Sequence, residues 1–149
     1  WITGIGQKTT SAGFTKNTSL TSMESTVIAG QSALKMSNHN ISEIDVAEVH
    51  DAFSVCEPMA LESLGFTNLG QGINMVQKLH EEDNFMINPR GGLIGSGHPL
   101  GATGVSQTIE IVQQLQKTSG NRQTNNPKTG LIHNMSAAAT SSTVLVLEK

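Results

Sequence analysis

Histidine and cysteine are the side chains of this 149-residue chain that can change protonation near neutral pH, and there are five of the first and one of the second. Two histidines stand out by their surroundings. His98 lies within residues 88–104, Asn-Pro-Arg-Gly-Gly-Leu-Ile-Gly-Ser-Gly-His-Pro-Leu-Gly-Ala-Thr-Gly, a glycine-rich stretch with no acidic residue. Glycine lets a backbone reach positive φ and come close to a ligand. His50 opens His50-Asp51-Ala52-Phe53, directly after the apolar run 46–49, which Glu48 interrupts. If that run is a strand, His50 stands at its C-terminal end, where ligands collect in α/β sheets. Two neutral imidazoles in one crevice could orient, polarise and shuttle protons. A histidine beside backbone donors also suits a reaction that develops charge on an oxygen. Against this stands a plain structural reading, in which Asp51 or the backbone merely satisfies the rings. Spacing alone favours the structural reading.

Other chemistries find little footing. Gly95, Gly97 and Gly101 give G-x-G-x-x-x-G, one residue off the dinucleotide fingerprint, and no Gly-Lys-Ser/Thr follows as in a P-loop. His39, His50, His80, His98 and His133 are scattered, without HExxH or paired cysteines, so no metal is expected. A net charge of −3 offers no basic field for nucleic acid. No apolar run approaches membrane-spanning length. A single cysteine, Cys56, excludes an internal disulfide and fits a reducing, cytoplasm-like compartment. The sequons at Asn17, Asn40 and Asn134 are read as chance without a secretory signal. The chain opens on Trp1 in strand-like sequence, which suggests a piece of a longer protein.

The elements that must position these groups are readable in order. Residues 1–6 read as a strand and 7–17 as polar loop. Thr21-Ser-Met-Glu24 has capping-box form, and Leu20, Met23, Val27, Gly30 and Leu34 keep helical period. After a turn at 41–45 and the strand 46–49, Ser54-x-x-Glu57 suggests a second capping box. It opens a helix with Phe53, Cys56, Ala60 and Leu64 on one side, Pro58 in its first turn and Gly65 as its stop. Gly70-Gln-Gly72 reads as a turn, 73–79 as a short helix, and 80–83 as a solvated charged face. The glycine-rich stretch then runs into a helix N-terminus, favourable to negative charge, with Ala102, Val105, Ile109, Val112 and Leu115 as its apolar stripe. A long polar loop over 118–130 leads to strands at 131–135 and 143–147, joined by Ser136-Ala-Ala-Ala-Thr-Ser-Ser142. The order β-α-β-α-α-β-β argues for one α/β domain over 1–149, with no linker or repeat.

Residues 88–104 resemble the Asn-x-x-Gly-Gly…Gly-His-Pro-x-Gly-x-[Ser/Thr]-Gly signature of the thiolases, without a gap. His50-Asp51-Ala52-Phe53 resembles the His-Asp-x-Phe segment of the sterol-carrier-protein-type and archaeal-type thiolases, where other thiolases carry Asn-Glu-x-Phe. The resemblance covers nearly the whole chain but only the C-terminal half of a thiolase subunit. It implies a thiolase-like C-terminal domain, a mixed β-sheet with helices packed on its faces. It implies reversible Claisen condensation or thiolytic cleavage of acyl-CoA esters through a cysteine acyl-enzyme. His98 would help bind the thioester oxygen, and His50 would stand in for the family asparagine. Asn88, Gly92 and Gly97 would serve substrate and CoA binding. Coenzyme A thioesters would be substrates, with no bound cofactor. The partners implied are acyl-CoA, the N-terminal thiolase half and further copies in a homo-oligomer.

The chain also departs from the pattern. The nucleophilic cysteine belongs to the absent half. The acid/base cysteine belongs either in a Cys-x-Gly-x-Gly loop or at the third position of His-Asp-x-Phe. Here the loop region reads His133-Asn-Met-Ser-Ala-Ala-Ala139, and the third position is Ala52. His133, at a strand end in that region, is the preferred substitute base, with Cys56 and His50 as alternatives. The competing class is a non-catalytic thiolase-like scaffold. A ketoacyl-synthase relative would also supply two histidines, but the Gly-His-Pro-x-Gly-x-Thr-Gly form speaks against it.

Overall fold

The structure is a computed structural model and describes residues 1–12, 20–82 and 86–149. Four strands form one mixed sheet: β1 (Ile2–Thr9), β2 (Val46–Glu48), β3 (Thr129–Met135) and β4 (Ser141–Glu148), in the order β1-β4-β3-β2. β1 and β3 flank β4 antiparallel, and β2 runs parallel to β3. Ile87 bridges Ala47 in parallel on the outer side of β2. Among the described residues five α-helices accompany the sheet: α1 (Glu24–Ser37), α2 (Cys56–Leu64), α3 (Gly72–Glu81), α4 (Gly92–Ser96) and α5 (Thr103–Gln116).

Strand alternation sorts the core into two layers. Ala47, Val49, Leu131, Met135, Val144 and Val146 join the cluster beneath α1 and α2. Val46, Ile132 and Leu147 point the other way, to Ile111 and Leu115 of α5. α1 lies almost on the strand it crosses. A Cβ on Gly4 or Gly6 would collide with the carbonyls of Ala33 or Ala29. Small residues on both sides make that approach possible, and the buried face of α1 is Ser25, Thr26, Ala29, Gly30 and Ala33. Of the stripe expected from Leu20, Met23, Val27, Gly30 and Leu34, Met23 and Gly30 are buried, Val27 and Leu34 are half-buried, and Leu20 is exposed.

Several other expectations are corrected. β1 extends through Thr9 because Gln7, Lys8 and Thr9 pair with Thr143, Ser142 and Ser141. The rest of the expected 7–17 loop from residue 13 on, including the Asn17 sequon, lies outside the described residues, as does Asp83. α1 and α2 open at Met23 and Val55 without side-chain cap bonds, so neither expected capping box is the helix cap. Pro58 does sit in the first turn of α2, and Gly65 closes it in the left-handed region. α3 begins at Gly72, where a side chain would run into the Pro58 carbonyl. Phe53 is 72% exposed rather than packed on the α2 side.

The largest correction concerns α5. Its buried face is Thr103, Gln107, Glu110, Ile111, Gln114 and Leu115. Each long polar side chain there has a partner: Gln107 Nε2 donates to His133 O, Arg122 meets Glu110 at 2.9 Å, and Gln114 Nε2 donates to Arg122 O. These bonds carry polar groups into the interior at little net cost. Val105 and Ile109, one turn apart, are left 61% and 53% exposed. No helix among the described residues is long and apolar enough to cross a membrane. An exposed apolar stripe of this kind predicts association. Residues 1–149 alone should sediment as a concentration-dependent oligomer, and Val105→Asp with Ile109→Asp should return it to monomer. A well-behaved monomer over a wide concentration range would contradict this.

Candidate active site

Beside the backbone bond from Asn88 N–H to Ala47 O (2.8 Å), three hydrogen bonds from backbone N–H groups to side chains lace the end of β2 to the glycine-rich segment. Val49 N–H donates to Asn88 Oδ1 (2.8 Å), Arg90 N–H to Glu48 Oε1 (3.4 Å), and Leu93 N–H to Asp51 Oδ1 (2.6 Å). Gly92 has φ +62°, and a Cβ there would strike the Asp51 carboxylate. Only glycine fits this approach. Asn88 sits at φ 47°, a region asparagine tolerates, and its Nδ2 donates to Glu57 Oε2 (3.1 Å). Arg90 Nη1 donates to Ser106 Oγ on α5. Burial pushes the Glu48 carboxyl up to about 7 against the pull of Arg90.

This lacing brings His50 and His98 together, with ring centroids 4.8 Å apart and planes at 89°, edge to face. The glycine-rich segment does not run straight into one helix. It forms α4, turns at Gly97 (φ 89°, ψ 161°) and presents His98 on an exposed loop before α5. Pro99 O takes up the N–H groups of Ala102 (2.7 Å) and Thr103 (3.1 Å). The first amide of α5, that of Thr103, is thus engaged by the preceding loop. His98 Nδ1 lies 2.7 Å from Thr103 Oγ1, which also bonds Pro99 O at 3.3 Å, so the ring orientation is held from α5.

His50 is 5% exposed, and burial, with repulsion from the nearby His98, lowers its pKa to about 4. Its Nδ1 is buried without a partner. A proton there would be an unsatisfied buried donor, so Nε2 carries it. His133 is 0% exposed, and burial lowers its pKa to about 3. Its Nδ1 accepts from His50 N–H (3.5 Å), and its Nε2 lies 3.0 Å from Thr26 Oγ1.

A cavity of about 1140 Å³ has His50 and His98 on its wall. Its apolar lining includes Met23, Val27, Phe53 and Met59, together with Cys56 and the turn Ala137–Ala139. Cys56 is 7% exposed and is the first residue of α2. Ala138 and Ala139 both adopt positive φ, 55° and 51°. That conformation costs an alanine roughly 1–2 kcal/mol.

Of the expected site residues, the structure brings His50 and His98 together on this cavity. His133 does not line it. Alternation along β3 puts its ring on the same face as Leu131 and Met135, in the core, where it cannot meet a substrate proton. Asn88 and Gly92 do not line it either. They face the Asp51–Glu57 scaffold, while Gly97 lies in open space. Thr26, Ser142 and Thr103 were missed. They carry no signal in the sequence beyond their place on α1, β4 and α5. Among the described residues, no group of three or more His, Cys, Asp or Glu side chains could hold a metal ion.

Residues 6–149 match the family profile described as thiolase C-terminal domain-like. The chain is 36% identical over 132 residues to an acetyl-CoA acetyltransferase of Methanothermobacter thermautotrophicus, covering 87% of the chain and 34% of that protein. It is 44% identical over 99 residues to human sterol carrier protein 2, covering 63% of the chain and 18% of that protein. A solved structure titled Ltp2-ChsH2(DUF35) aldolase superposes with a TM-score of 0.80 at 23% identity, over 97% of the chain and 38% of its own, a likeness of fold. The chain thus spans about a third or less of the length of these relatives.

The burial of His50 and His133 makes the site acid-sensitive. As pH falls below their ordinary value of 6.5, the unfolded chain takes up protons that the folded site refuses until about 4 and about 3. Stability therefore falls on acidification through that range. Glu48 works oppositely, since between its ordinary 4.5 and about 7 the folded state holds the extra proton. Glu48→Gln should lose stability more steeply than the parent from about pH 6.5 to about pH 4.5, measured by urea unfolding. Parallel curves would contradict the assignment.

Proposed function

The chain belongs to the thiolase C-terminal domain-like family, and we propose that it supplies the histidine half of an acyl-CoA acyltransferase site. In this reading the N-terminal half provides the nucleophilic cysteine, which carries the acyl group as a thioester. The observation that carries the proposal is the His50–His98 pair, edge to face at 4.8 Å on the wall of a largely apolar cavity. Charge develops on the thioester oxygen when a carbon nucleophile adds to it, and fixed donors there lower the barrier. His50 is suited to donate, since its low pKa keeps it neutral and its buried Nδ1 leaves the proton on Nε2. His98 is the second donor in the tautomer in which Thr103 Oγ1 gives its hydrogen to Nδ1 rather than to Pro99 O, which leaves the ring proton on Nε2.

Condensation also requires a base for the α-proton of the second acyl-CoA. The resulting carbanion attacks the acyl-enzyme carbonyl, the C–C bond forms, and the cysteine leaves as thiolate. Burial of His133 argues against it as that base. Cys56, on the cavity wall, takes the role in this reading. The apolar lining suits an acyl chain, coenzyme A enters as part of the substrate, and the full-length protein works as a homo-oligomer. A second reading, a non-catalytic thiolase-like subunit, is favoured by one observation. Neither Ala52 nor the Ala137–Ala139 turn brings an ionisable side chain to the cavity.

The full-length protein decides between them. It should cleave acetoacetyl-CoA, and His98→Ala should lower turnover by about a hundredfold or more while the fold is kept. Exchange of the α-protons of acetyl-CoA with deuterated water should persist in the parent and be lost in Cys56→Ala. Exchange undiminished in Cys56→Ala removes the base assignment. No exchange or cleavage in the parent selects the non-catalytic reading.

A further inference from the structure

A chain of buried groups runs from His50 to the Ala137–Ala139 turn, which also lines the cavity. His50 N–H donates to His133 Nδ1 (3.5 Å), so that nitrogen is bare and the ring proton lies on Nε2. Nε2–H then donates to Thr26 Oγ1 (3.0 Å). The hydroxyl of Thr26 is left to donate to Ser142 Oγ (2.9 Å), Ser142 to Ser25 Oγ (2.7 Å), and Ser25 to Ala139 O (2.6 Å). Each intermediate member gives one proton and receives one. The reverse direction is excluded, because an N–H cannot accept and a carbonyl cannot donate. Ser25, Thr26 and His133 are 0% exposed and Ser142 1%.

Both ends of the chain are backbone groups that neither release nor take a proton, so it is not a proton wire. What it joins are two walls of one cavity: the His50 turn and the positive-φ turn containing Ala138 and Ala139. We propose that His133 is a positioning residue, the centre of a one-directional hydrogen-bond chain that holds the His50 turn and the Ala137–Ala139 turn in one relative geometry. It acts through His50 and never touches substrate. The strained alanine turn needs such support, because an unfavourable backbone persists only where its surroundings over-determine it. Polar runs of this kind, fully satisfied, specify a single arrangement.

The test uses the full-length protein, labelled with ¹⁵N in histidine and alanine, with the variants Ser142→Ala, Thr26→Val and Thr26→Ser. In the parent, His133 should show one neutral tautomer, Nε2 protonated and Nδ1 bare, from about pH 5 to about pH 8. Ser142→Ala, at a side chain buried behind the wall that Ser141 and Thr143 help to line, should shift the amide signals of both His50 and Ala139. Thr26→Val should mix the His133 tautomers, and Thr26→Ser should restore the single one. Only the kinetic arm rests on the acyl-transfer reading. There Ser142→Ala and Thr26→Val should lower kcat about tenfold with KM within about twofold, as expected when a reacting group is slightly misplaced. Thr26→Ser should recover most of kcat. A parent without turnover contradicts the acyl-transfer reading alone, and the amide and tautomer arms then decide this proposal. A His133 that titrates near neutral pH, amide shifts confined to the Ser142 side, or unchanged kcat with scrambled tautomers would overturn it.

Discussion

The backbone N–H groups of Val49, Arg90 and Leu93 would be buried or half-buried orphans without the side chains of Asn88, Glu48 and Asp51. Leaving such a donor unsatisfied costs about 1–3 kcal/mol. Meeting that demand fastens the end of β2 to a glycine-rich segment some forty residues later in the chain. The rest of the site follows from that fastening. His50 is carried on one side of the seam and His98 on the other, and Gly92 lets the two backbones close to the distance the Asp51 carboxylate requires.

The same economy of polar groups organises the two faces of the sheet. On the α5 face, Gln107, Glu110 and Gln114 are buried because they bond the end of β3 and the turn at Gly120–Arg122. On the α1 face, Ser25 and Thr26 are buried because they complete the run from His133 to Ala139. Neither face is packed by apolar contact alone. The site sits where the two polar systems approach each other, between Glu48 on one side of β2 and the His50 turn after it. Glu48 retains an unpartnered Oε2 there, on a carboxyl that burial pushes up to about 7.

Much of this was legible in the sequence, and what was not has a common cause. The strands and the helices α1, α2, α3 and α5 followed from period and turn residues, and the meeting of His50 with His98 from the thiolase-like motifs, while α4 was not foreseen. The face of α5 did not, because Gln107, Glu110 and Gln114 read as solvent residues until Asn134, Arg122 and Thr124 are folded against them. The box suggested by Ser54 and Glu57 is not the cap of α2, since the Glu57 carboxylate is engaged by Asn88 from 31 residues away. His133 looked like an available base at a strand end. The alternation of β3 already pointed its ring into the core with Leu131 and Met135, and that signal outweighs its place near the end. The left-handed turn at Ala138 and Ala139 had no signal, because alanine rarely adopts it.

The account stands or falls on the two rings acting on one oxygen. The direct measurement is a crystal structure of the full-length protein with a coenzyme A thioester bound. The account predicts the thioester oxygen within about 3.2 Å of a nitrogen of His98 and of Nε2 of His50, with His133 still sealed behind them. A thioester bound in the cavity with its oxygen turned away from both rings would contradict it.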